Sequence, residues 1–196
     1  MFVQRYDKKI ITRCSDKDTS FPIEVLNQWD VTDWEIIGGN FSFFPDDISI
    51  LKNLKKLSLV STKVSNLPKD IFLLPKLKYL SLKNNRIQTL PDLDSESFIE
   101  TLILGHNFLP NKTLERFLGR FPELYNLDLG HNIIDEIPES IFELKNLKRL
   151  NLESNRLKTI PLKLKEKLDL VHLSIDNNQF SHTEKLLIEK HFHIKF

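Results

Sequence analysis

Cysteine occurs once in the 196 residues, at Cys14, so no disulfide can close within the chain and a secreted, disulfide-capped domain is disfavoured. A lone thiol suits a reducing compartment, and the expected location is the cytoplasm. An excess of one charge is also missing. The 28 basic residues against 27 acidic ones leave a net charge of +1, which gives no whole-molecule field to gather nucleic acid or an anionic membrane. Long apolar runs are absent too: nothing approaches the roughly 20 residues of a membrane span. The start, MFVQRYDKKIITRC, carries Arg5, Asp7, Lys8 and Lys9 where a signal peptide needs its apolar core. Neither membrane insertion nor a cleaved signal is expected, although secretion by a route without such a signal leaves no trace of this kind. The sequons at Asn40 and Asn111 matter only for a secreted chain.

Catalytic signatures are equally scarce. There is no Walker-type phosphate loop and no G-x-G-x-x-G fingerprint. Nucleophilic catalysis needs a Ser or Cys beside a base and an orienting acid, and no such trio emerges. An enzyme is not expected, nor a cofactor.

What the chain does contain is a period. Leu54, Leu57, Leu59 and Val64 align with Leu77, Leu80, Leu82 and Ile87, and Asn85 fills a polar slot between the last two. The same frame fits Ile99 to Leu109, Leu124 to Ile134, Leu147 to Leu157 and Leu170 to Phe180, with a weaker copy from Val31 to Phe41. The first positions lie at 31, 54, 77, 99, 124, 147 and 170, steps of 23, 23, 22, 25, 23 and 23. A phase held that closely is a structural repeat.

In x-L-x-L-x the leucines point to one face of a short strand and the x residues to the other. A single unit cannot bury its own apolar face, so successive units must stack around a shared core. Asn85, Asn107, Asn132, Asn155 and Asn178 then mark where the chain leaves each strand. A buried carboxamide can donate to and accept from neighbouring turns, which predicts a structural asparagine ladder. Thr62 and Gly39 occupy that slot in the first copies, so the ladder should thin at the N-terminal end.

The spacing L-x-x-L-x-L-x-x-N-x-L resembles the leucine-rich repeat family, in particular its 23-residue subclass. There L-P-x-x-[IL]-x-x-L follows the asparagine segment, as at Phe44-Pro45, Leu67-Pro68, Ile137-Pro138 and Ile160-Pro161. The resemblance covers about residues 21 to 180. It implies an α/β fold, a right-handed leucine-rich repeat solenoid or horseshoe, with a concave parallel β-sheet and convex short helices or turns. It also implies a non-enzymatic protein-interaction module whose concave face binds a partner protein.

The expected organisation is an N-terminal cap with a partial repeat over residues 1–30, seven repeats over 31–180 and a C-terminal cap over 181–196. KKIITRC before the partial repeat predicts a covering strand. Ser181 three residues before Glu184 predicts a capped helix, and Phe192, Ile194 and Phe196 alternate with polar residues as an edge strand would. The repeat starting at Ile99 lacks the Leu-Pro step, and Thr113 ahead of Leu114, Phe117 and Leu118 predicts the longest convex helix there.

On the sheet face, Gly105 and Gly130 fall side by side in the repeated Leu-Gly-His-Asn and predict a shallow dent. Tyr79, Ile103, His106, Phe108, Tyr125, Asp128, His131 and Ile133 stand around it. An aromatic and aliphatic patch on a polar face suits a protein partner. His106 and His131 lie on neighbouring strands, but zinc needs three or four protein ligands and no third falls in place, so no metal is expected. Lysines at 52, 55, 56, 63, 69, 76 and 78 make the second and third repeats basic, while Glu153 and Asp176 place acids farther along. Two other readings stand beside the adaptor. One is a structural protein that self-associates weakly through the C-terminal strand. The other is a bacterial effector or surface protein acting on host factors, since stand-alone repeats of this type resemble those of such proteins.

Overall fold

The computed structural model of the chain describes residues 1–41 and 44–195. Its backbone is one sheet of nine strands in sequence order: β1 (Phe2–Tyr6), β2 (Lys9–Arg13), β3 (Asp33–Ile37), β4 (Lys56–Val60), β5 (Tyr79–Ser81), β6 (Thr101–Ile103), β7 (Asn126–Asp128), β8 (Arg149–Asn151) and β9 (His172–Ser174). From β2 to β9 every neighbour is parallel, which gives an open leucine-rich solenoid. The register is set by the repeat itself: Trp34, Leu57, Leu80, Leu102, Leu127, Leu150 and Leu173 form one continuous row. All of that row except Leu173 is buried, because only the last strand lacks a following repeat to cover it.

Proline starts the return segments. Pro45, Pro68 and Pro138 each sit in extended backbone immediately before a short 3-10 helix, at Asp46–Ile50, Lys69–Phe72 and Glu139–Glu143. Its fixed φ suits the entry and its missing N–H costs nothing at a helix start. Pro22 also precedes a 3-10 helix, Ile23–Asn27, though its own backbone is not extended. At Pro161 the segment becomes α-helical, over Lys163–Lys167.

The N-terminal cap has more strand than expected. The segment after Lys8 supplies β2, but β1 folds back on it antiparallel, a strand that no repeat position announces. Behind it Phe21 packs edge-on to Trp34 and Phe41, with centroids 5.5 and 5.3 Å away, and Trp34 Nε1 donates to Thr12 Oγ1.

Two local expectations fail. The irregular repeat does not hold the longest helix: the α-helix at Asn111–Leu114 has four residues and gives way to a 3-10 turn at Leu118–Arg120. Thr113 lies inside that helix, and its Oγ1 accepts from Leu90 N, so it is not the cap. Phe117 and Phe121 there pack edge-to-face with Phe72, with centroids 5.0 and 6.4 Å away. The second failure is at the C-terminus. Ser181 Oγ does accept from Glu184 N and starts an 11-residue helix, His182–Phe192, but that helix absorbs Phe192 and ends at His193 in left-handed backbone. Ile194 follows outside any strand, and Phe196 lies outside the described residues. The run Leu186, Leu187 and Ile188 favours a helix that continues through Phe192; of the three only Ile188 is buried, and it closes the core. No strand for self-association exists in this tail among the described residues.

Candidate functional site

The asparagine ladder fixes how each strand ends. Asn132 is typical: Nδ2 donates to Leu104 O at 3.1 Å and Leu129 O at 3.0 Å, and Oδ1 accepts from Leu109 N at 2.9 Å. Asn85, Asn107, Asn155 and Asn178 repeat the donation to their own and the preceding strand-end carbonyls. Leu82, Leu104, Leu129 and Leu152 therefore each accept from two carboxamides. At the N-terminal end Thr62 stands in the slot with a single hydroxyl, which donates to Asn85 Oδ1 at 2.8 Å. Leu59 O keeps only Asn85 as a carboxamide partner.

Directly before each ladder residue the chain passes through left-handed backbone. Ser61, Asn84, His106, His131, Ser154 and Asn177 all have φ between 55 and 58°. For side chains other than glycine this is an uncommon region. The bend at each strand end requires it, and one consequence is that equivalent side chains emerge in parallel on successive strands. His106 and His131 accordingly stack, with ring centroids 3.9 Å apart and planes 11° from parallel. Burial is the first cause that holds the His106 imidazolium below its ordinary pKa, followed by the charges of His131 and Lys83; Asp128 and Glu153 oppose them.

The dent expected at Gly105 and Gly130 is filled. Both glycines have ordinary φ and are buried, because the side chains of the next strand lie across them. A Cβ on Gly105 would meet Asp128 Oδ2 at 3.0 Å, and one on Gly130 would meet Asn151 Nδ2 at 2.8 Å. Asp128 Oδ1 accepts from both Gly130 N and Asn151 Nδ2, and Asn151 Oδ1 accepts from Glu153 N. Glycine is used here for close approach, and the dent becomes a polar floor of Asp128 and Asn151. Asn151 escaped the sequence reading because spacing alone does not say which way a short polar side chain folds.

The remaining candidates separate. His106, His131, Phe108 and Ile133 gather where the strands end, with Phe108 50% exposed. Tyr79 and Tyr125 stand at the other end of their strands, where Lys56 Nζ lies 4.6 Å over the Tyr79 ring. Ile103 is half-buried between the two groups. The basic stretch is partly neutralised: of its seven lysines, Lys63 pairs with Asp16, Lys69 with Asp94 and Lys78 with Glu100 at 2.8, 2.5 and 2.9 Å. Among the described residues no three of His, Cys, Asp and Glu gather as metal ligands would.

A stacked row of leucines, a carboxamide ladder and a parallel sheet with one open face define a class of repeat solenoid. The leucine rich repeat family profile matches residues 52–109 and 122–180, more than half of the chain, and the chain belongs to that family. A curated relative, leucine-rich repeat and fibronectin type-III domain-containing protein 4 of Rattus norvegicus, is 49% identical over 43 residues, 21% of this chain and 7% of that protein. Among solved structures, a leucine-rich repeat protein of Leptospira interrogans superposes with a TM-score of 0.67 at 26% identity, over 91% of this chain and 51% of that one. TLR13 in its complex with ssRNA13 superposes with a TM-score of 0.70 at 25% identity, over 91% of this chain and 26% of that one. The chain thus spans about half or less of each of these proteins.

Proposed function

We propose that the chain is a non-enzymatic interaction module that binds a partner protein on its concave sheet face. One observation carries the reading. The exit ends of β6 and β7 hold a stacked imidazole pair with an exposed Phe108 and a half-buried Ile133 following in the chain, on a face that also carries Asp128, Asn151 and Glu153. Exposed rings fixed in register by the backbone are contact surface that loses little entropy on binding. The leucine-rich relatives support an interaction role; the RNA seen in the TLR13 complex belongs to that protein. For this chain a protein partner is favoured, because Asp128, Glu153 and Asp176 lie on the same face and the net charge is only +1. The lone Cys14, half-buried and held above its ordinary pKa first by burial, suits a reducing compartment.

The test is capture by the full chain compared with a concave variant, Thr101→Arg with Asn126→Arg, and a convex variant, Lys112→Glu, all checked for folding by circular dichroism. A bound protein lost only with the concave variant is the expected outcome. Loss only with the convex variant, or capture of single-stranded RNA instead of protein, overturns the reading.

A further inference from the structure

Resting on that concave-face reading, we propose that the partner presents an extended peptide segment with an acidic residue, an apolar residue two positions on and a basic residue two positions further, laid across β5 to β8 where the strands end. The inner column at that edge runs Lys83, Gly105, Gly130, Glu153 and Asp176. It therefore has a cation at one end, two glycines crossed by the Asp128 and Asn151 side chains in the middle and two acids at the other end. Lys83 and Asp176 are exposed and Glu153 is half-buried, its Oε1 accepting only a 3.3 Å contact from Asn177 Nδ2. Arg86 reinforces the basic end three residues further on, in the column of Phe108 and Ile133. Arg156 stands in that same outer column beside the acids, so a bound segment keeps its charge order only over the inner column.

The middle of the column has its own chemistry. A chain passing over Gly105 and Gly130 meets the Asp128 and Asn151 side chains that cross them, which lie low because they are hydrogen-bonded to each other and to Gly130 N. The stacked His106 and His131, with Phe108 and Ile133 beyond them, present their ring edges alongside. An apolar side chain seated there packs against the carbon edges of the rings and against Phe108 and Ile133. The spacing follows from the sheet. Three strand steps of about 4.8 Å put Lys83 and Glu153 about 14 Å apart, which about four residue steps of extended chain at about 3.3 Å each span. Opposite charges at the two ends, with an apolar residue between, complement the column.

The experiment uses fluorescence anisotropy of the full chain with three capped, fluorescein-labelled peptides: Glu-Ser-Leu-Ser-Lys, the same peptide with Glu at both ends, and the same with Lys at both ends. The dipolar peptide should bind roughly five-fold tighter than either like-charged one, the effect of one added exposed ion pair. That preference should vanish near 1 M salt, where screening reaches about 3 Å. Lys83→Glu should turn the preference to the doubly basic peptide and Glu153→Lys to the doubly acidic one. Equal binding of the three, no binding of any, or preferences unmoved by the charge reversals overturns the proposal. If concave variants still abolish capture of a protein partner while the peptides fail, the charge order falls alone. If capture ignores the concave variants, the face itself is wrong.

Discussion

Removing two neighbouring ladder asparagines should cost more than the sum of removing each. In Asn132→Ala the buried N–H of Leu109 loses its acceptor, whereas Leu104 O keeps Asn107 and Leu129 O keeps Asn155. An orphaned buried donor costs about 1–3 kcal/mol, so the single variant should lose roughly 2–3 kcal/mol once the lost charge-neutral contacts are included. Asn107→Ala orphans Ile87 N in the same way while Leu82 O keeps Asn85 and Leu104 O keeps Asn132. In the double variant Leu104 O loses both donors at once, and that second orphan adds a coupling of about 1–2 kcal/mol. Asn107→Ala with Asn155→Ala is the control, because these two share no carbonyl and their effects should add within about 0.5 kcal/mol. Urea unfolding followed by circular dichroism measures the wild type, the three single variants, Asn155→Ala included, and the two double variants. Equal coupling in the adjacent and separated pairs would refute the shared-acceptor account of the ladder.

Other consequences are open to measurement. Gly130→Ala should destabilise by about 1–2 kcal/mol, since its Cβ displaces Asn151 from Asp128 and breaks a hydrogen bond; the loss should shrink when Asn151 is already Ala. His106 binds its proton less readily folded than unfolded, so the unfolded chain takes up protons first as pH falls: stability is whole above the ordinary histidine pKa of about 6.5 and is lost as pH drops through the lower folded value. Proton NMR titration should place His106 below that ordinary value, and His106→Gln should flatten the acid limb of stability; an unchanged limb argues against it. Leu127→Ala, in the fully buried row, should lose about 2–5 kcal/mol in the same urea assay.

The sequence showed the fold because a repeated unit states its own geometry seven times. The leucine row, the proline starts and the ladder slots are local features whose period survives any single irregularity. The failures came where one element competes with another. At Phe192, the first residue of an expected alternation with Ile194 and Phe196, the helix anchored by the buried Ile188 prevailed. At Thr113 a good capping residue was needed instead as acceptor for Leu90 N. The site was legible by column and illegible in depth. Counting along the repeat put His106 beside His131 and Gly105 beside Gly130. What counting does not give is backbone conformation: glycine in such a motif suggests left-handed φ, yet the histidines adopt it and the glycines do not. The reason is positional. The bend must come directly before the ladder asparagine so that its carboxamide reaches two strand-end carbonyls, and the residue there is histidine in these two repeats. Glycine sits one position earlier, where Asp128 and Asn151 cross it. The imidazole stack therefore follows from the same bend that builds the ladder, and a change that loosens the ladder at Asn107 or Asn132 should also unstack the rings.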